Sequence, residues 1–278
     1  MKVLTAERCG FCFGVRRAIE LAESTLAQDR PVYCLGPLIH NPQVIDRLVA
    51  RGIHLVERSE EVPPGSTVII RSHGVHPSVM EALRQRPAEI VDATCPLVKR
   101  AQDRARELAQ EGYRVVIVGE RHHPEVEAIV GIVGEAALVA DEEPPREVLG
   151  ERKIGVIAQT TQDSDTLRRV VHRLVDSLVY ELRVFNTICS ATVERQQAAV
   201  ELAGQVEVMF VLGGHNSANT GRLAEICAGT GVPTYHLETV QEFRPEMIAG
   251  KQVSGVTAGA STPDWVIDEF VEKLKRTP

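Results

Sequence analysis

Long apolar stretches, basic tracts and low-complexity segments are all missing from this sequence. No apolar run approaches the roughly 18 residues of a membrane helix, so no membrane span is predicted. The first residues, MKVLTAERCG, lack the apolar core of a signal peptide. The formal net charge is −7, and without a Lys/Arg-rich tract neither a nucleic acid nor a membrane surface is an expected partner. Any anionic ligand would therefore have to be bound by local groups.

Six cysteines occur in a chain of 278 residues that is 44% hydrophobic. This content allows a sizeable core, in one compact unit or in two to three small lobes. Because no secretion signal is apparent, the cysteines favour a reducing, cytoplasmic location. In that setting they usually serve core packing, metal binding or catalysis rather than disulfides.

The chain repeats itself three times. Each repeat begins with a cysteine and continues with apolar residues at three- and four-residue steps, which is the helical period. A short apolar strand follows, and it ends in a glycine 24 residues after the cysteine. The cysteine and glycine pairs are Cys12 and Gly36, Cys95 and Gly119, and Cys189 and Gly213. A helix, a second strand with its loop, another helix and a final strand then lead to the next cysteine.

Strands that alternate with helices predict an α/β fold with parallel sheets flanked by helices. The repeats predict three small lobes in a pseudo-threefold arrangement, with boundaries at 13–95, 96–188 and 189–278 plus 1–12. The N-terminal piece joins the third lobe because KVLTAERCGFC supplies the strand that this repeat lacks. Ligands of open α/β sheets bind beyond the carboxyl ends of the strands, so the cysteines are expected to face a shared central cavity.

Three equivalent thiolates, at Cys12, Cys95 and Cys189, could hold a metal centre that keeps one position open. Zinc sites usually use close cysteine pairs or mixed His/Cys sets, whereas iron–sulfur clusters are held by cysteine thiolates. The spacing favours a cluster and leaves zinc open. Cys34 and Cys227 lie in apolar patterns that predict core packing. Cys9 forms Cys-Gly-Phe-Cys with Cys12, a possible redox pair, but has no counterpart in the other repeats.

Polar residues in the loops at the strand ends are candidates for binding a diphosphate. Helix starts there offer free N–H groups and the positive end of a dipole, and a protonated histidine can also donate. The candidates are His40, His73, His123, Ser217, Asn219 and Ser261, together with Thr160 and Thr161. Three of them lie four residues after the repeated glycines: His40, His123 and Ser217. A capping, structural or solvent-facing role is expected for His54, His76, His122, His172, His215 and His236.

Glu125 follows His123 on the first turn of a predicted helix. The helix dipole alone favours a glutamate there. Alternatively, Glu125 is a proton donor whose pKa is raised by a neighbouring diphosphate. The hydroxyls of Thr160 and Thr161 would then relay the proton.

Eight motifs together resemble those of the 4-hydroxy-3-methylbut-2-enyl diphosphate reductase family. Its members catalyse the last step of the methylerythritol phosphate route to isoprenoids. They are GFCFGVRRAIE, GPLIHNPQVIDRL, RSHGVHP, DATCPLV, HHPEVE, AQTTQ, GGHNSANTGRLAE and GVTAGASTPDW, which run to about Trp265. The resemblance implies one [4Fe–4S] cluster per chain on Cys12, Cys95 and Cys189, with the substrate oxygen bound to its unique iron. It implies an oxidoreductase that forms isopentenyl and dimethylallyl diphosphate with electrons from a ferredoxin- or flavodoxin-type donor.

The resemblance also implies roles for single residues. Glu125 would be the acid, and Thr160 would assist it and contact the substrate. The diphosphate ligands would be His40, His73, His123, Ser217, Asn219 and Ser261.

Three other functions stay open at this point. A zinc hydrolase would use the three cysteines and an activated water, although Glu125 is its only obvious base. A non-enzymatic iron–sulfur sensor would need a nucleic-acid or partner surface. A thiol–disulfide protein built on Cys9 and Cys12 would leave Cys95 and Cys189 unexplained.

Overall fold

The computed structural model of the protein describes residues 1–148, 150–177 and 179–277. The strands of this described part, β1 to β12, are Lys2–Thr5, Val32–Leu35, Ile53–Val56, Thr67–Ile70, Glu89–Asp92, Arg114–Val118, Ala137–Ala140, Lys153–Ala158, Glu181–Val184, Val208–Leu212, Thr234–Leu237 and Val253–Ala258. Its helices, α1 to α9, are Phe13–Leu26, Pro42–Ala50, Pro77–Arg84, Pro96–Gln110, Pro124–Val133, Ser164–Asp176, Ser190–Ala203, Ala218–Gly229 and Asp264–Arg276.

Within the described residues, the strands form three parallel sheets of four strands each. The strand orders are β3-β2-β4-β5, β7-β6-β8-β9 and β1-β12-β10-β11. The N-terminal strand β1 pairs with β12, from Lys2 opposite Val253 to Thr5 opposite Val256. The predicted α/β class is confirmed, and so is the prediction that the N-terminus completes the third repeat.

The chain divides into two compact units. One consists of Met1–Val15, His40–Val44 and Ser190–Pro278 and contains the sheet that includes β1. The other consists of Arg16–Ile39 and Ile45–Cys189 and contains the other two sheets. The three lobe boundaries drawn from the sequence therefore stay a prediction.

The inner strands form where the sequence has short apolar runs. Val115, Val116, Ile117 and Val118 of β6 are all fully buried, as expected for a parallel strand that is covered by helices on both faces. The edge strands β3, β7 and β11 did not stand out from the sequence pattern. They are four residues long and mix buried positions with exposed ones in β3 and with half-buried ones in β7 and β11, so neither an apolar run nor a clean alternation marks them.

Gly119 at the end of β6 permits a close approach of two loops. A Cβ atom there would lie 2.7 Å from Gln159 Oε1 and 3.0 Å from Val126 Cγ2. We expect Gly119→Ala to lower the free energy of unfolding by about 1–3 kcal/mol through this overlap. Gly221→Ala is the matched control, because Gly221 lies on α8 with nothing within 4 Å of the added atom. It should raise stability by roughly 0.5–1 kcal/mol. Urea unfolding of both variants checks that the free energy of unfolding falls in Gly119→Ala and rises in Gly221→Ala.

Cys34 on β2 and Cys227 on α8 are buried among apolar residues. Burial raises the pKa of the Cys34 thiol to about 12 and that of Cys227 to about 11, so both stay protonated. The core-packing prediction is confirmed for both. Among the helices of the described residues, none is long and apolar enough to cross a membrane.

Candidate functional site

The three repeated cysteines lie at the same place in the fold, in the residue before a helix. Cys12 precedes α1, Cys95 caps α4 and Cys189 precedes α7. All three are half-buried, and no disulfide forms among the six cysteines of the described chain. Each helix presents its positive end to the thiol, which favours a negatively charged ligand set.

A matching backbone hydrogen bond fixes each cysteine to the loop after an inner strand. The Cys12 amide donates to Ala260 O at 3.1 Å. The amides of Cys95 and Cys189 donate to Ser72 O and Thr160 O, both at 2.9 Å. Ser72, Thr160 and Ala260 each lie two residues after the end of their strand, β4, β8 or β12. The internal repeat therefore extends to the hydrogen bonds that place the thiols.

The chemistry of these residues fits an iron–sulfur cluster. The three repeated thiols occupy equivalent positions and form no disulfide, and the Val15 N–H points at Cys12 Sγ at 3.5 Å, the kind of N–H···S contact that tunes clusters. Cys9 differs from them, because it packs against the apolar cluster around Phe270. Burial raises the pKa of its thiol.

Glu125 is the most buried acid of the candidate site, with 1% of its surface exposed. Its Oε1 accepts a hydrogen bond from the Thr160 amide at 2.7 Å, and its Oε2 lies 2.8 Å from Thr160 Oγ1. Because the Thr160 carbonyl also accepts the Cys189 amide, Thr160 links the carboxyl group directly to a cysteine loop.

Burial raises the pKa of Glu125 to about 7, although the two hydrogen bonds from Thr160 oppose the shift. Glu125 can thus hold a proton near neutral pH without any anion beside it. Desolvation already raises its pKa in the folded chain, and the further rise caused by a bound diphosphate stays a prediction. A proton on Oε2 would be shared with Thr160 Oγ1, which makes a Glu125–Thr160 relay chemically feasible.

His123 is buried and caps α5 with its ring. Its Nδ1 accepts the Glu125 amide at 3.1 Å, so this nitrogen carries no proton. The remaining proton is on Nε2, where it can be donated to a phosphate oxygen. A neutral His123 ring in this tautomer keeps one N–H donor, so an anion could be bound without a second proton on the ring. The His73 ring packs edge-on against His123, with centroids 5.4 Å apart.

Ser217, Asn219 and Ser261 are all buried. Ser217 Oγ accepts from the amide and hydroxyl of Thr220, at 3.3 and 3.0 Å, which leaves its own O–H to donate. Asn219 Nδ2 is buried and has no hydrogen-bond partner in the described part of the chain, as expected of a donor that meets a ligand. Ser261 Oγ donates to His40 O at 2.9 Å, so binding a phosphate would require its proton to leave that bond.

The register of the first repeat differs from the predicted one. The helix-capping residues are Asn41, His123 and Ser217, with Asn41 Oδ1 accepting the Val44 amide at 3.1 Å. His40 lies one residue before its cap, because the loop from Gly36 is one residue longer than the loops from Gly119 and Gly213. The glycine-plus-four rule therefore does not align His40 with the other two.

The histidines predicted to be structural or solvent-facing are confirmed as such. His76 caps α3, accepting the Ser78 amide at 3.2 Å, and His122 is exposed beside the buried His123. His54 and His172 are exposed. His215 is exposed and pairs with Glu242, while His236 bonds to Gly213 O at 2.9 Å.

Gln159 is a site residue that the sequence reasoning missed. It is buried, its Oε1 accepts the Glu120 amide at 2.9 Å, and its Nε2 donates to Thr161 Oγ1 at 2.8 Å. It therefore joins the loop that leads to His123 and Glu125 to the loop of Thr160 and Thr161. Its place in AQTTQ, before two polar residues at a strand end, was the available signal.

Comparison with known proteins shows the family of this chain. A family model described as LytB protein matches residues 3–275. The chain belongs to the LytB family. Curated LytB relatives are named 4-hydroxy-3-methylbut-2-enyl diphosphate reductase. One from Geobacter metallireducens is 46% identical over 276 residues, covering 99% of this chain and 97% of the relative. One from Aquifex aeolicus is 44% identical over 278 residues, covering 98% and 96%.

Solved LytB structures share the fold. A structure of (E)-4-hydroxy-3-methyl-but-2-enyl diphosphate reductase, the terminal enzyme of the non-mevalonate pathway, is 42% identical with a TM-score of 0.71 and covers 99% of each chain. The corresponding reductase from Plasmodium falciparum is 26% identical with a TM-score of 0.92, covering 100% of this chain and 89% of that one. The predicted family and fold class are both confirmed.

Proposed function

We propose that this LytB chain is a 4-hydroxy-3-methylbut-2-enyl diphosphate reductase. It removes the allylic hydroxyl of its substrate and forms isopentenyl and dimethylallyl diphosphate. The overall reaction takes up two electrons and two protons and releases the oxygen as water. The relatives, 44–48% identical over nearly the whole chain, support the reaction. The observation that carries it at the level of residues is the buried Glu125, whose pKa is raised to about 7 and which is tied through Thr160 to the Cys189 loop.

The proposed cofactor is a [4Fe–4S] cluster on Cys12, Cys95 and Cys189. The equivalent placement of the three thiols supports it. When bound, the cluster supplies electrons and a Lewis-acidic iron, chemistry that no side chain offers. The donor is proposed to be a ferredoxin- or flavodoxin-type protein, and the compartment the cytoplasm, where thiols stay reduced.

The protein's own residues bind the substrate and deliver a proton. The proposed donors to the diphosphate are His123 Nε2, the Ser217 hydroxyl and Asn219 Nδ2, with His40, His73 and Ser261 as further ligands. Binding at the diphosphate orients the hydroxymethyl end without using the reacting atoms. Glu125 Oε2 then gives up its proton through Thr160 Oγ1 to the departing oxygen.

His123 links substrate binding to proton delivery. Its ring accepts the Glu125 backbone amide, while its Nε2 proton is available to the diphosphate. A bound diphosphate would therefore fix the ring that holds the first turn of α5, on which Glu125 lies. This supports assigning the acid and the anion ligands to one reaction.

The first test is anaerobic purification, with the visible spectrum and the iron and sulfide content measured with and without substrate. We expect a brown protein with about four irons per chain and a spectrum that changes on adding the substrate. A colourless protein that stays colourless after reconstitution and retains zinc would overturn the reductase in favour of the hydrolase.

Asn219→Ala is expected to raise KM for the diphosphate substrate by about 10–100-fold, because one hydrogen bond to a charged group is lost. Stability should change little, because Asn219 Nδ2 has no hydrogen-bond partner among the described residues. Asn216→Ala is the control, since Asn216 is exposed in the loop that leads to α8. Steady-state kinetics decide the matter, and an unchanged KM in Asn219→Ala would remove Asn219 from the binding site.

A further inference from the structure

In each repeat, a side chain forms hydrogen bonds that hold the backbone just before the cysteine. Two residues before Cys12, the Gly10 carbonyl accepts a hydrogen bond from Arg195 Nη2 at 2.6 Å. Before Cys95, the carbonyls of Ala93 and Thr94 accept from Arg17 Nη1 at 3.5 and 3.3 Å. Before Cys189, Thr187 Oγ1 accepts the Ala158 amide and donates to the Ala158 carbonyl. Side-chain hydrogen bonds thus hold the three cysteine loops at equivalent positions, and in two of the loops the donor is an arginine.

Arg195 is the more buried of these two arginines, with 5% of its surface exposed, whereas Arg17 is half-buried. It lies on α7, the helix that begins directly after Cys189. Its Nη1 donates to Ala191 O at 3.3 Å, which ties the guanidinium to the first turn of α7. Burying a guanidinium carries a large desolvation cost, which its hydrogen bonds to the carbonyls of Gly10 and Ala191 partly offset.

The Cys12 loop is held on two sides. Arg195 holds Gly10, and the Cys12 amide donates to Ala260 O at 3.1 Å. Gly10 itself has φ +84°, and a Cβ there would lie 2.5 Å from Asp264 Oδ1, so the turn is tightly packed. The charge of Arg195 also acts on this loop, since it lowers the pKa of the Cys9 thiol, whereas burial and the smaller effects of Asp264 and Asp268 raise it.

We infer that Arg195 is a positioning residue for Cys12 and a fixed positive charge that raises the reduction potential of the cluster. The inference rests on the cluster of the proposed function. Positioning follows from the hydrogen bond to Gly10, which sets the backbone from which Cys12 extends. The effect on potential follows because a buried positive charge stabilises the more negative, reduced state of a nearby cluster.

The test compares Arg195→Met, which removes the charge and the hydrogen bonds, with Arg195→Lys, which keeps the charge and loses the guanidinium fork. Arg8→Gln is the control. Arg8 lies in the same loop but is exposed and pairs with the exposed Glu194 at 3.4 Å. Hydrogen exchange at residues 9–13 is measured in the cluster-free chains. Iron loss to a chelator and the reduction potential are measured in the reconstituted chains.

We expect faster exchange at residues 9–13 in both Arg195 variants, and iron loss about 10–100-fold faster than in wild type, as for other groups that orient metal ligands. The potential should fall in Arg195→Met and stay near the wild-type value in Arg195→Lys. Arg8→Gln should match wild type throughout.

Three outcomes separate the possibilities. Wild-type exchange at residues 9–13 in Arg195→Met would overturn the positioning role. Equal potentials in the Met and Lys variants would overturn the charge role. A wild-type chain that takes up no cluster would overturn the proposed function, while the exchange measurement would still decide whether Arg195 holds the loop.

Discussion

Glu125→Gln is expected to lower kcat by about 10²–10⁴-fold, the usual contribution of a positioned general acid. The amide reproduces the shape of the protonated carboxyl. It can accept from the Thr160 amide and donate to Thr160 Oγ1, so the loop should keep its geometry. It has no acidic proton to give. Cluster content and substrate affinity should therefore stay at wild-type values, which iron analysis and single-turnover kinetics would check.

The same substitution should stabilise the protein at alkaline pH. A carboxyl group whose folded pKa is about 7, against an ordinary 4.5, binds more protons in the folded than in the unfolded state between those values. The wild type therefore loses stability as pH rises through this window, by on the order of 3 kcal/mol in all. Glutamine does not titrate. Tm should be equal for the two proteins near pH 4.5 and higher for Glu125→Gln at pH 8.

Glu127→Gln is the matched control, because Glu127 is exposed on the same helix, one position beyond Val126. It should leave both kcat and the pH dependence of Tm unchanged. Normal turnover in Glu125→Gln would remove Glu125 from the chemistry. A Tm difference that is constant from pH 4.5 to pH 8 would contradict the raised pKa.

Cys189→Ser is expected to abolish cluster binding, with loss of the brown colour and of all activity. The serine amide can still donate to the Thr160 carbonyl, so the loop should fold, but a hydroxyl is a poor replacement for an iron-binding thiolate. The visible spectrum and the iron and sulfide content after anaerobic reconstitution measure the effect.

Cys9→Ser serves as the control for Cys189→Ser. Cys9 packs against an apolar cluster and lacks the backbone placement that the three repeated cysteines share. This variant should keep its colour and its iron. A Cys189→Ser protein that stays brown and active would break the argument from the repeat, and a colourless Cys9→Ser protein would reassign a ligand.

The sequence predicted the parts of the fold that have a strong local signal. Buried inner strands such as β6 and β10 appear as apolar runs, and their closing glycines recur with the cysteines at a fixed spacing. The edge strands β3, β7 and β11 have no such signal, because at least half of the residues in each are exposed or only half-buried, and tertiary pairing decides their structure.

The candidate site was predictable where chemistry is tied to the repeat, as for Cys12, Cys95, Cys189 and His123. Two features of the site could not be predicted from the sequence. The extra residue before Asn41 shifts His40, which a spacing rule cannot detect. The contacts of Gln159 and Arg195 join residues 39 and 185 positions apart, so only the folded chain reveals them. The neutral His123 ring also depends on one backbone hydrogen bond.

The pairing of β1 with β12 has a consequence for biosynthesis. A chain leaves the ribosome from its N-terminus, so the sheet of β2 to β5 is complete once residue 92 has emerged. The sheet of β1 waits for almost the whole chain, and Ala260, which receives the Cys12 amide, emerges later still. Of the three repeated cysteines, the one made first is therefore the last to reach its place. We expect cofactor insertion to follow the emergence of Ala260 from the ribosome.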